Sequence, residues 1–394
     1  MINKMLKPHA SIALSFPSGV LHLERLAKGI RRYAKDLPWQ WVTSPEKHFL
    51  SIKSLENWKG DGVIAMINTL EGQRILENLD CKVVNISGAM ENSPFPRVTV
   101  DYADAGHMAG EHLRRKGFKR FAFYGLSDLW YSHELKRGFG EELESSGFSV
   151  LGHDTPSSIL EDPPNPNDLE KLDQWLLELP KPIAILASHD PRGAILLQRL
   201  QLLQIDVPGD VAVMSVNNDS QTCEFAKPTM TSIQRNEEKV GFLAAKVLDQ
   251  CMRGETPQSY TVIPPLEVIE RQSTRTLALE NPLLQKAIQY MQSKVHEDLS
   301  VDQIAQEIGK SRRWLEMSMK AELQVSPKQI FSKIKAEGIL DELRKDPGIK
   351  IYALASHFSI RNTQVLNRIL ITQTGHGAAE WKRNLEEKAE REIS

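Results

Sequence analysis

Cysteine is scarce in this 394-residue chain, which contains only Cys81, Cys223 and Cys251. No two of them form a Cys-x-x-Cys pair, and such isolated thiols are typical of a reduced cytoplasm rather than of a disulfide framework or a metal site. Long apolar runs are also missing, since no window approaches the ~20 residues that span a membrane. Residues 1–9 are too polar, and the apolar run after them is too short, for a signal peptide. These absences predict a cytoplasmic protein without a membrane partner.

Common catalytic motifs are absent too. The sequence has no Gly-x-Gly-x-x-Gly after a strand, no Gly-x-x-x-x-Gly-Lys-[Ser/Thr] phosphate loop and no Gly-x-Ser-x-Gly nucleophile elbow. His133 and Glu134 begin like a zinc-protease helix, but Arg137 occupies the position of the second histidine. We therefore expect no enzyme, no catalytic residue, no metal and no cofactor.

Composition indicates an ordinary globular protein of two or three domains, with 41% hydrophobic and 25% charged residues. The formal charge of −2 is divided unevenly along the chain. From Leu283 onward there are 18 Lys and Arg against 15 Asp and Glu, a charge of +3, and the remainder has 31 against 36, a charge of −5. A positive C-terminal part fits contact with DNA, but so small an excess decides nothing alone.

Residues 9–275 alternate short apolar runs with amphipathic segments, which is typical of parallel α/β sheets. Two successive sets of similar size predict two lobes. In such sheets ligands bind beyond the carboxyl ends of the strands. The polar residues expected there are Ser15, Asn68, Ser127, His189, Asp190, Asn217, Asn218 and Asp219, with Phe16 beside the first. Each of them could instead simply end a strand or cap a helix.

Residues 299–323 have the pattern of a helix-turn-helix. Apolar residues at helical spacing stop at Gly309 and resume after Ser311. Gly309 can adopt the positive φ of a tight turn, and Ser311 is a natural N-cap. Arg312 and Arg313 then open a second helix that would enter the DNA major groove. An ordinary helical hairpin is the alternative.

The rest of the C-terminal part is also predicted to be helical. Residues 276–283 are the expected linker, 284–384 the DNA-binding domain and 385–394 a charged tail. Within the domain we expect a lead-in helix over 284–294, a long linking helix over 328–343 and a second helix-turn-helix over 349–381. Two such motifs on one linking helix would contact successive major-groove segments about one turn apart.

Four segments, in the same order, resemble the periplasmic-binding-protein-like effector domain of lactose-repressor-type regulators. They are residues 98–125, 133–143, 185–219 and 227–248. The resemblance implies two Rossmann-like lobes joined by crossovers near Asp101, Ser232 and Thr256. It also implies a sugar-sized ligand in the cleft, whose binding biases closure of the lobes.

The whole chain resembles the family of bacterial xylose operon regulators, which join such a lobe pair to an arabinose-regulator-type (AraC-type) DNA-binding domain. Residues 57–65, 116–126, 205–213 and 263–274 carry this likeness. The implied fold is an α/β two-lobed periplasmic-binding-protein-like (type I) domain plus an all-α AraC-type double helix-turn-helix domain.

The expected ligand site departs from the family pattern. Leu135 replaces an arginine that holds sugar hydroxyls, Asn217 replaces an aspartate, and Asp190 is retained. A small sugar or polyol is the expected effector, with xylose one possibility. The candidate ligand-binding residues are Phe16, Ser127, Trp130, Tyr131, Glu134, His189, Asp190 and Asn217. The three aromatic rings among them either stack on a sugar or pack against a lobe.

The second helix-turn-helix departs further from its family pattern than the first. Only Ala355 and Gly375 match, while Ser359 replaces a turn glycine and Ile371 a lysine that would contact phosphate. The candidate DNA-binding residues are Ser311, Arg312, Arg313 and Lys320 in the first motif and Arg361, Asn362, Gln364 and Arg368 in the second. We expect most base contacts to come from the first motif.

The sequence therefore predicts a sugar-responsive transcription regulator that binds a double-stranded DNA operator as a homodimer. The competing hypothesis is a ligand-binding sensor whose C-terminal domain has lost DNA binding. An enzyme, such as a dinucleotide-binding oxidoreductase, is the third class, and the missing glycine loop argues against it.

Overall fold

The computed structural model describes residues 9–17, 21–42, 49–157, 165–275, 279 and 281–393. The chain divides into two compact units, Met1–Thr276 and Leu277–Ser394. Each unit has hydrophobic cores of its own.

The first unit contains two six-stranded sheets, one in each lobe. The strands are β1 (Ala10–Ser15), β2 (Trp39–Val42), β3 (Gly62–Ala65), β4 (Lys82–Asn85), β5 (Arg97–Val100), β6 (Phe121–Leu126), β7 (Val150–Thr155), β8 (Ile183–Ala187), β9 (Val211–Val216), β10 (Thr231–Gln234), β11 (Tyr260–Ile263) and β12 (Glu267–Ile269). The order in lobe 1 is β11-β5-β4-β3-β1-β2, and the order in lobe 2 is β12-β10-β9-β8-β6-β7. The described pairs are parallel except β10 with β12, so the predicted two-lobed α/β fold is confirmed.

Eight helices accompany the described strands of this unit. They are α1 (Leu21–Ala34), α2 (Leu70–Glu77), α3 (Tyr102–Arg115), α4 (Trp130–Ser145), α5 (Pro166–Glu178), α6 (Asp190–Leu202), α7 (Ser220–Phe225) and α8 (Glu237–Met252). One closely packed helix pair braces each lobe. A Cβ added to Gly29 of α1 would lie 1.9 Å from the Glu238 carbonyl oxygen of α8, and one added to Gly138 of α4 would lie 1.9 Å from that of Ala103 in α3. Glycine therefore permits both approaches.

The chain crosses between the lobes three times. The first crossover is at Asp101, as predicted, and the second lies between β10 and α8, close to the predicted Ser232. The third prediction, near Thr256, is wrong. β11 still pairs with β5 of lobe 1, so the crossing comes later, between β11 and β12.

The second unit is helical throughout its described elements. Its helices are α9 (Pro282–Ser293), α10 (Val301–Glu307), α11 (Arg312–Leu323), α12 (Pro327–Lys345), α13 (Ile351–His357), α14 (Thr363–Thr374) and α15 (Ala378–Ile393). One core joins α9, α10 and α11 to the first half of α12, and another joins α13, α14 and α15 to its second half. α12 therefore links two small helical subdomains, each with one helix-turn-helix.

Turn geometry in the first helix-turn-helix agrees with the sequence prediction. Gly309 has φ +67°, and the Ser311 side chain accepts a hydrogen bond from the Trp314 N–H. In the second motif, α14 begins at Thr363, two residues after Arg361, the first of the candidate DNA-binding residues there. Arg361 therefore precedes the helix, and Asn362 is its N-cap, accepting from the Val365 N–H at 2.9 Å.

Ser359 provides the first testable prediction. Its φ is +48°, and its place in the turn is the one that Gly309 has in the first helix-turn-helix. We expect Ser359→Gly to raise the free energy of unfolding by about 0.5–1 kcal/mol, because glycine adopts this conformation without steric cost. Thermal unfolding of the full chain measures the change. The matched control, Gly309→Ser, should lower stability by a similar amount; loss of stability in both variants would contradict the prediction.

Candidate functional site

A cavity of about 500 Å³ lies between the two lobes and is lined by residues of both. Ser87 and Asn68 come from the carboxyl side of lobe 1, and His189 and Asn217 from that of lobe 2. The volume is within the usual range for small-ligand sites, and its position at the strand ends is the expected one for this topology.

Three rings form the aromatic wall of the cavity. The ring centroids of Tyr102 and Tyr131 are 5.3 Å apart, and Tyr131 and His189 form a T-shaped pair with 6.2 Å between their centroids. Burial lowers the pKa of His189 to about 3, and burial raises the pKa of Tyr131 above its usual value. Both groups are therefore uncharged at neutral pH, and both can hydrogen-bond a hydroxyl group without adding charge.

Several charged side chains lie together at the second crossover between the lobes. Arg235 Nε is 3.2 Å from Glu237 Oε1, and Arg235 Nη1 donates to the Tyr102 hydroxyl at 3.1 Å. Glu237 is 1% exposed and also pairs with Arg25 of α1 at 3.4 Å. Arg25 in turn donates to the Asn217 carbonyl oxygen at 3.0 Å. This last bond joins lobe 1 to lobe 2, so it depends on the separation of the lobes.

Three of the eight predicted ligand residues, Tyr131, His189 and Asn217, line the cavity. The others are occupied elsewhere. Phe16 packs on Phe49 with ring centroids 4.1 Å apart. Glu134 pairs with Arg137 at 2.7 Å.

Trp130 lies over the Arg97 guanidinium, with 5.8 Å between the guanidinium carbon and the ring centroid. Ser127 is exposed, and its carbonyl oxygen hydrogen-bonds His133 Nε2 at 3.2 Å. Sequence reasoning did not include Tyr102, Asp128 or Arg235 among the candidates. Asp128 directly follows Ser127, the polar residue predicted at the carboxyl end of its strand, so the prediction missed this lining residue by one position.

Asp190 is fully buried and serves the fold of lobe 2. Its carboxylate accepts hydrogen bonds of 2.6 Å from Ser215 Oγ, Ser232 Oγ and the Asp219 N–H. It thereby ties the start of α6 to β9, β10 and the start of α7. Burial raises the pKa of Asp190 to about 6, although these three hydrogen bonds oppose the shift.

The raised pKa predicts a pH-dependent stability. The folded state holds a proton that the unfolded chain, with a pKa of 3.8 at this residue, has already released. The associated stability is therefore present at low pH and is lost as the pH rises through about 6. Between about pH 5 and about pH 7.5, we expect wild type to lose about 1 kcal/mol more stability than Asp190→Asn. Urea unfolding of both proteins at the two pH values measures this difference. An equal change in the free energy of unfolding of wild type and Asp190→Asn between the two pH values would contradict the raised pKa of Asp190.

The exposed face of α11 carries Arg312, Arg313, Met317 and Lys320. Arg312 is held by Glu316 at 2.9 Å and Asp302 at 3.2 Å. Arg313 makes no hydrogen bond or ion pair with any residue in the described part of the chain. Of the two neighbouring arginines, Arg313 is thus the one whose donors are available to bases or phosphates.

Lys320 donates to the Gln324 carbonyl oxygen at 3.1 Å, at the carboxyl end of α11. Met317 is 62% exposed and adds apolar surface beside Arg313, of the kind that contacts thymine methyl groups. In the second motif, Gln364 and Arg368 are exposed on α14. Ile371, one turn further on, is 52% exposed.

The described residues contain no cluster of three or more His, Cys, Asp or Glu side chains that could hold a metal ion. Among the helices in that part of the chain, none is both long enough and apolar enough to cross a bilayer.

Comparison with known proteins places the chain among regulators. The family model of the periplasmic binding protein-like domain matches residues 111–274. The xylose operon regulatory protein of Escherichia coli K12 is 28% identical over 324 residues, covering 79% of this chain and 81% of its own. That of Haemophilus influenzae is 25% identical over 344 residues, covering 84% and 87%.

A solved structure of the xylose-binding transcription activator XylR superimposes with a TM-score of 0.74 at 23% identity, covering 96% of this chain and 99% of its own. The two-lobed fold, the helical unit and the sequence relatives together define the class of the protein, a transcription regulator. In particular, the chain is a regulator similar to the xylose operon regulatory proteins. The similarity extends over 324 residues, which is more than the first unit, Met1–Thr276, contains.

Proposed function

We propose that this regulator responds to a sugar, a pentose or a similar small polyol, which binds in the cleft of residues 1–275. Residues 284–384 then bind a double-stranded operator of a carbohydrate-utilisation operon, for which the xylose operon named in the relatives is the first candidate, and the chain acts as a cytoplasmic homodimer. The observation that carries the proposal is the pairing, in one chain, of a cleft lined by many hydrogen-bonding groups, the uncharged Tyr131 and His189 among them, with a helix that exposes Arg313, which has no partner in the described part of the chain.

The cleft suits a neutral, hydroxyl-rich ligand. His189 and Tyr131 are uncharged, and the side chains of Asn68 and Asn217 can both donate and accept. Asp128 accepts hydrogen bonds from the Ser157 N–H and hydroxyl, which leaves further lone pairs for sugar hydroxyls. The Tyr102 and Tyr131 rings supply an apolar surface for the C–H face of a sugar.

The hydrogen bond from Arg25 to the Asn217 carbonyl oxygen, which joins the two lobes, couples ligand binding in the cleft to the separation of the lobes. Asn217 lines the cavity, so a ligand that contacts it favours the lobe separation at which this 3.0 Å bond forms. A ligand shifts a conformational equilibrium only through such differential contacts. Closure of the lobes would thereby change how the DNA-binding units of a dimer are presented.

Calorimetry of the full chain with D-xylose, L-arabinose, D-ribose, xylitol and D-glucose tests the effector proposal. We expect one of the C5 compounds to bind with a stoichiometry of one per chain. Substitution of Asn217 with alanine should weaken that binding, whereas Phe16→Leu, outside the cleft, should not. Heats indistinguishable from dilution for every compound would remove the sugar from the proposal.

The exposed Ile371 supports a second candidate function, that of a ligand sensor that does not bind DNA. It places an apolar group where the related family has a lysine for phosphate contact. The two hypotheses differ in salt dependence, because phosphate contacts make DNA affinity fall steeply with salt. The sensor hypothesis predicts no such affinity for the DNA upstream of its own operon. An enzyme would require turnover of the bound sugar.

A further inference from the structure

Arg192 is the largest fully buried side chain among the described residues. It is the third residue of α6 and has no exposed surface. Its Nη2 donates to Thr155 Oγ1 at 2.8 Å, and its guanidinium carbon lies 3.6 Å from the centroid of the Tyr124 ring. Its Nε and Nη1 have no hydrogen-bond partner in the part of the chain that the structure describes.

No carboxylate in the described ranges compensates this charge by direct pairing. Asp154 is engaged by Lys136, and Asp128 by the N–H and hydroxyl of Ser157. Arg235, the buried arginine at the crossover, has Glu237 at 3.2 Å by contrast. Burial lowers the pKa of Arg192. An unpaired buried charge is costly, and a structure that retains one calls for an explanation such as a bound ion.

Two neighbours of Arg192 have unpaired polar atoms as well. The Tyr124 hydroxyl and His153 Nε2 are buried and have no partner within hydrogen-bond distance among the described residues, although the Thr155 side chain lies near enough to the Tyr124 hydroxyl to oppose the rise in the pKa of Tyr124. The His153 ring is stacked between Tyr124 at 5.9 Å and Trp175 at 4.9 Å. Burial and the Arg192 charge lower the pKa of His153, so its ring is neutral. The unpaired atoms of this group are two guanidinium donors, a hydroxyl and an imidazole nitrogen that can carry a proton, a set that is complementary to an anion.

We propose that Arg192, Tyr124 and His153 form a binding site in lobe 2 for a small anion, separate from the effector cleft. The site lies at the carboxyl ends of β6 and β7, where Thr155 is two residues from Ser157 of the cleft wall, and Arg192 is three residues from His189. It does not depend on the proposed effector, because none of its three residues lines the cleft.

Thermal unfolding of the full chain tests the site, with chloride, acetate, sulfate or phosphate added at constant ionic strength and HEPES as the only other anion. We expect at least one of these anions to raise the Tm of wild type saturably, by about 3 °C. Arg192→Met, which removes the charge at similar length, should fold, be at least as stable without the anion, and show no anion-dependent rise. The control Arg199→Met lies on the same helix as Arg192 and breaks the ion pair with Asp173 of α5; it should keep the rise.

Tyr124→Phe provides a second test that does not depend on Arg192→Met folding. Removing a hydroxyl that has no partner within hydrogen-bond distance in the described ranges should leave stability without anion unchanged and weaken anion binding several-fold. A wild-type Tm that no anion changes, or a rise that is equal in wild type, Arg192→Met and Tyr124→Phe, would overturn the proposal.

Discussion

Substitution of Arg313 with alanine is expected to weaken operator binding by about tenfold to a hundredfold. Arg313 is exposed on α11 and makes no hydrogen bond or ion pair within the described chain, so its donors are available to DNA. Arg312 is held by Glu316 and Asp302, and its replacement should cost less than that of Arg313. Fluorescence anisotropy with a labelled duplex from the region upstream of its own operon measures all of these affinities.

Arg361→Ala is the matched control in the second helix-turn-helix. Arg361 lies before α14 rather than on it, and we expect its loss to weaken binding less than the loss of Arg312 or Arg313. The salt dependence of binding by Arg313→Ala shows whether Arg313 contacts a phosphate, because loss of one phosphate contact lowers the slope of log K against log[salt] by about one. A larger effect at Arg361 than at Arg313 would contradict the assignment of base contacts to the first motif.

Replacement of Arg235 with methionine is expected to lower effector affinity by about tenfold to a hundredfold. Arg235 lines the cleft, and it also holds Glu237 and the Tyr102 hydroxyl in place. Arg235→Lys keeps the charge but loses the fork of donors, and an intermediate affinity is expected. Calorimetry with the sugar that wild type binds measures the three affinities.

Arg137→Met is the control for this substitution, because Arg137 pairs on the surface with Glu134 and Glu141. It should leave effector affinity unchanged. DNA binding without effector should be the same in Arg235→Met as in wild type. Equal effector affinity in wild type and Arg235→Met would remove Arg235 from the binding site.

Continuous apolar runs allowed much of the α/β fold to be predicted. β8 (Ile183–Ala187) and β9 (Val211–Val216) are buried along their whole length, and each is a nearly continuous apolar run in the sequence. β2 (Trp39–Val42) and β7 (Val150–Thr155) have no such continuous apolar run. Both are edge strands that are partly exposed, and β7 includes the polar pair His153 and Asp154. A strand with one open side needs no apolar run, so the sequence signal is weak.

The helical unit was more readily predicted because its ends depend on local chemistry. Ser311 and Gly309 act within their own turns, and their roles follow from residue type alone. Ser359 shows the limit of this reasoning, since its positive φ could be expected only from the resemblance to a family with glycine there.

Strand-end reasoning found only part of the cleft. His189 and Asn217 follow clearly apolar strands and line the cavity. Arg235 was missed because β10 (Thr231–Gln234) is short and mostly polar, so no strand end was recognised before it. The bonds that Asp190 makes with Ser215 and Ser232 involve residues 25 and 42 positions away, which no local pattern reveals.

The most direct test of the proposed function is the operator affinity of the full chain with and without the sugar that calorimetry identifies. We expect the Kd for the upstream duplex to change by about tenfold or more at saturating sugar. Arg235→Met should lose this response at the same sugar concentration, and Arg313→Ala should lose the binding itself. An operator affinity that is the same with and without every sugar that binds the cleft would contradict the account.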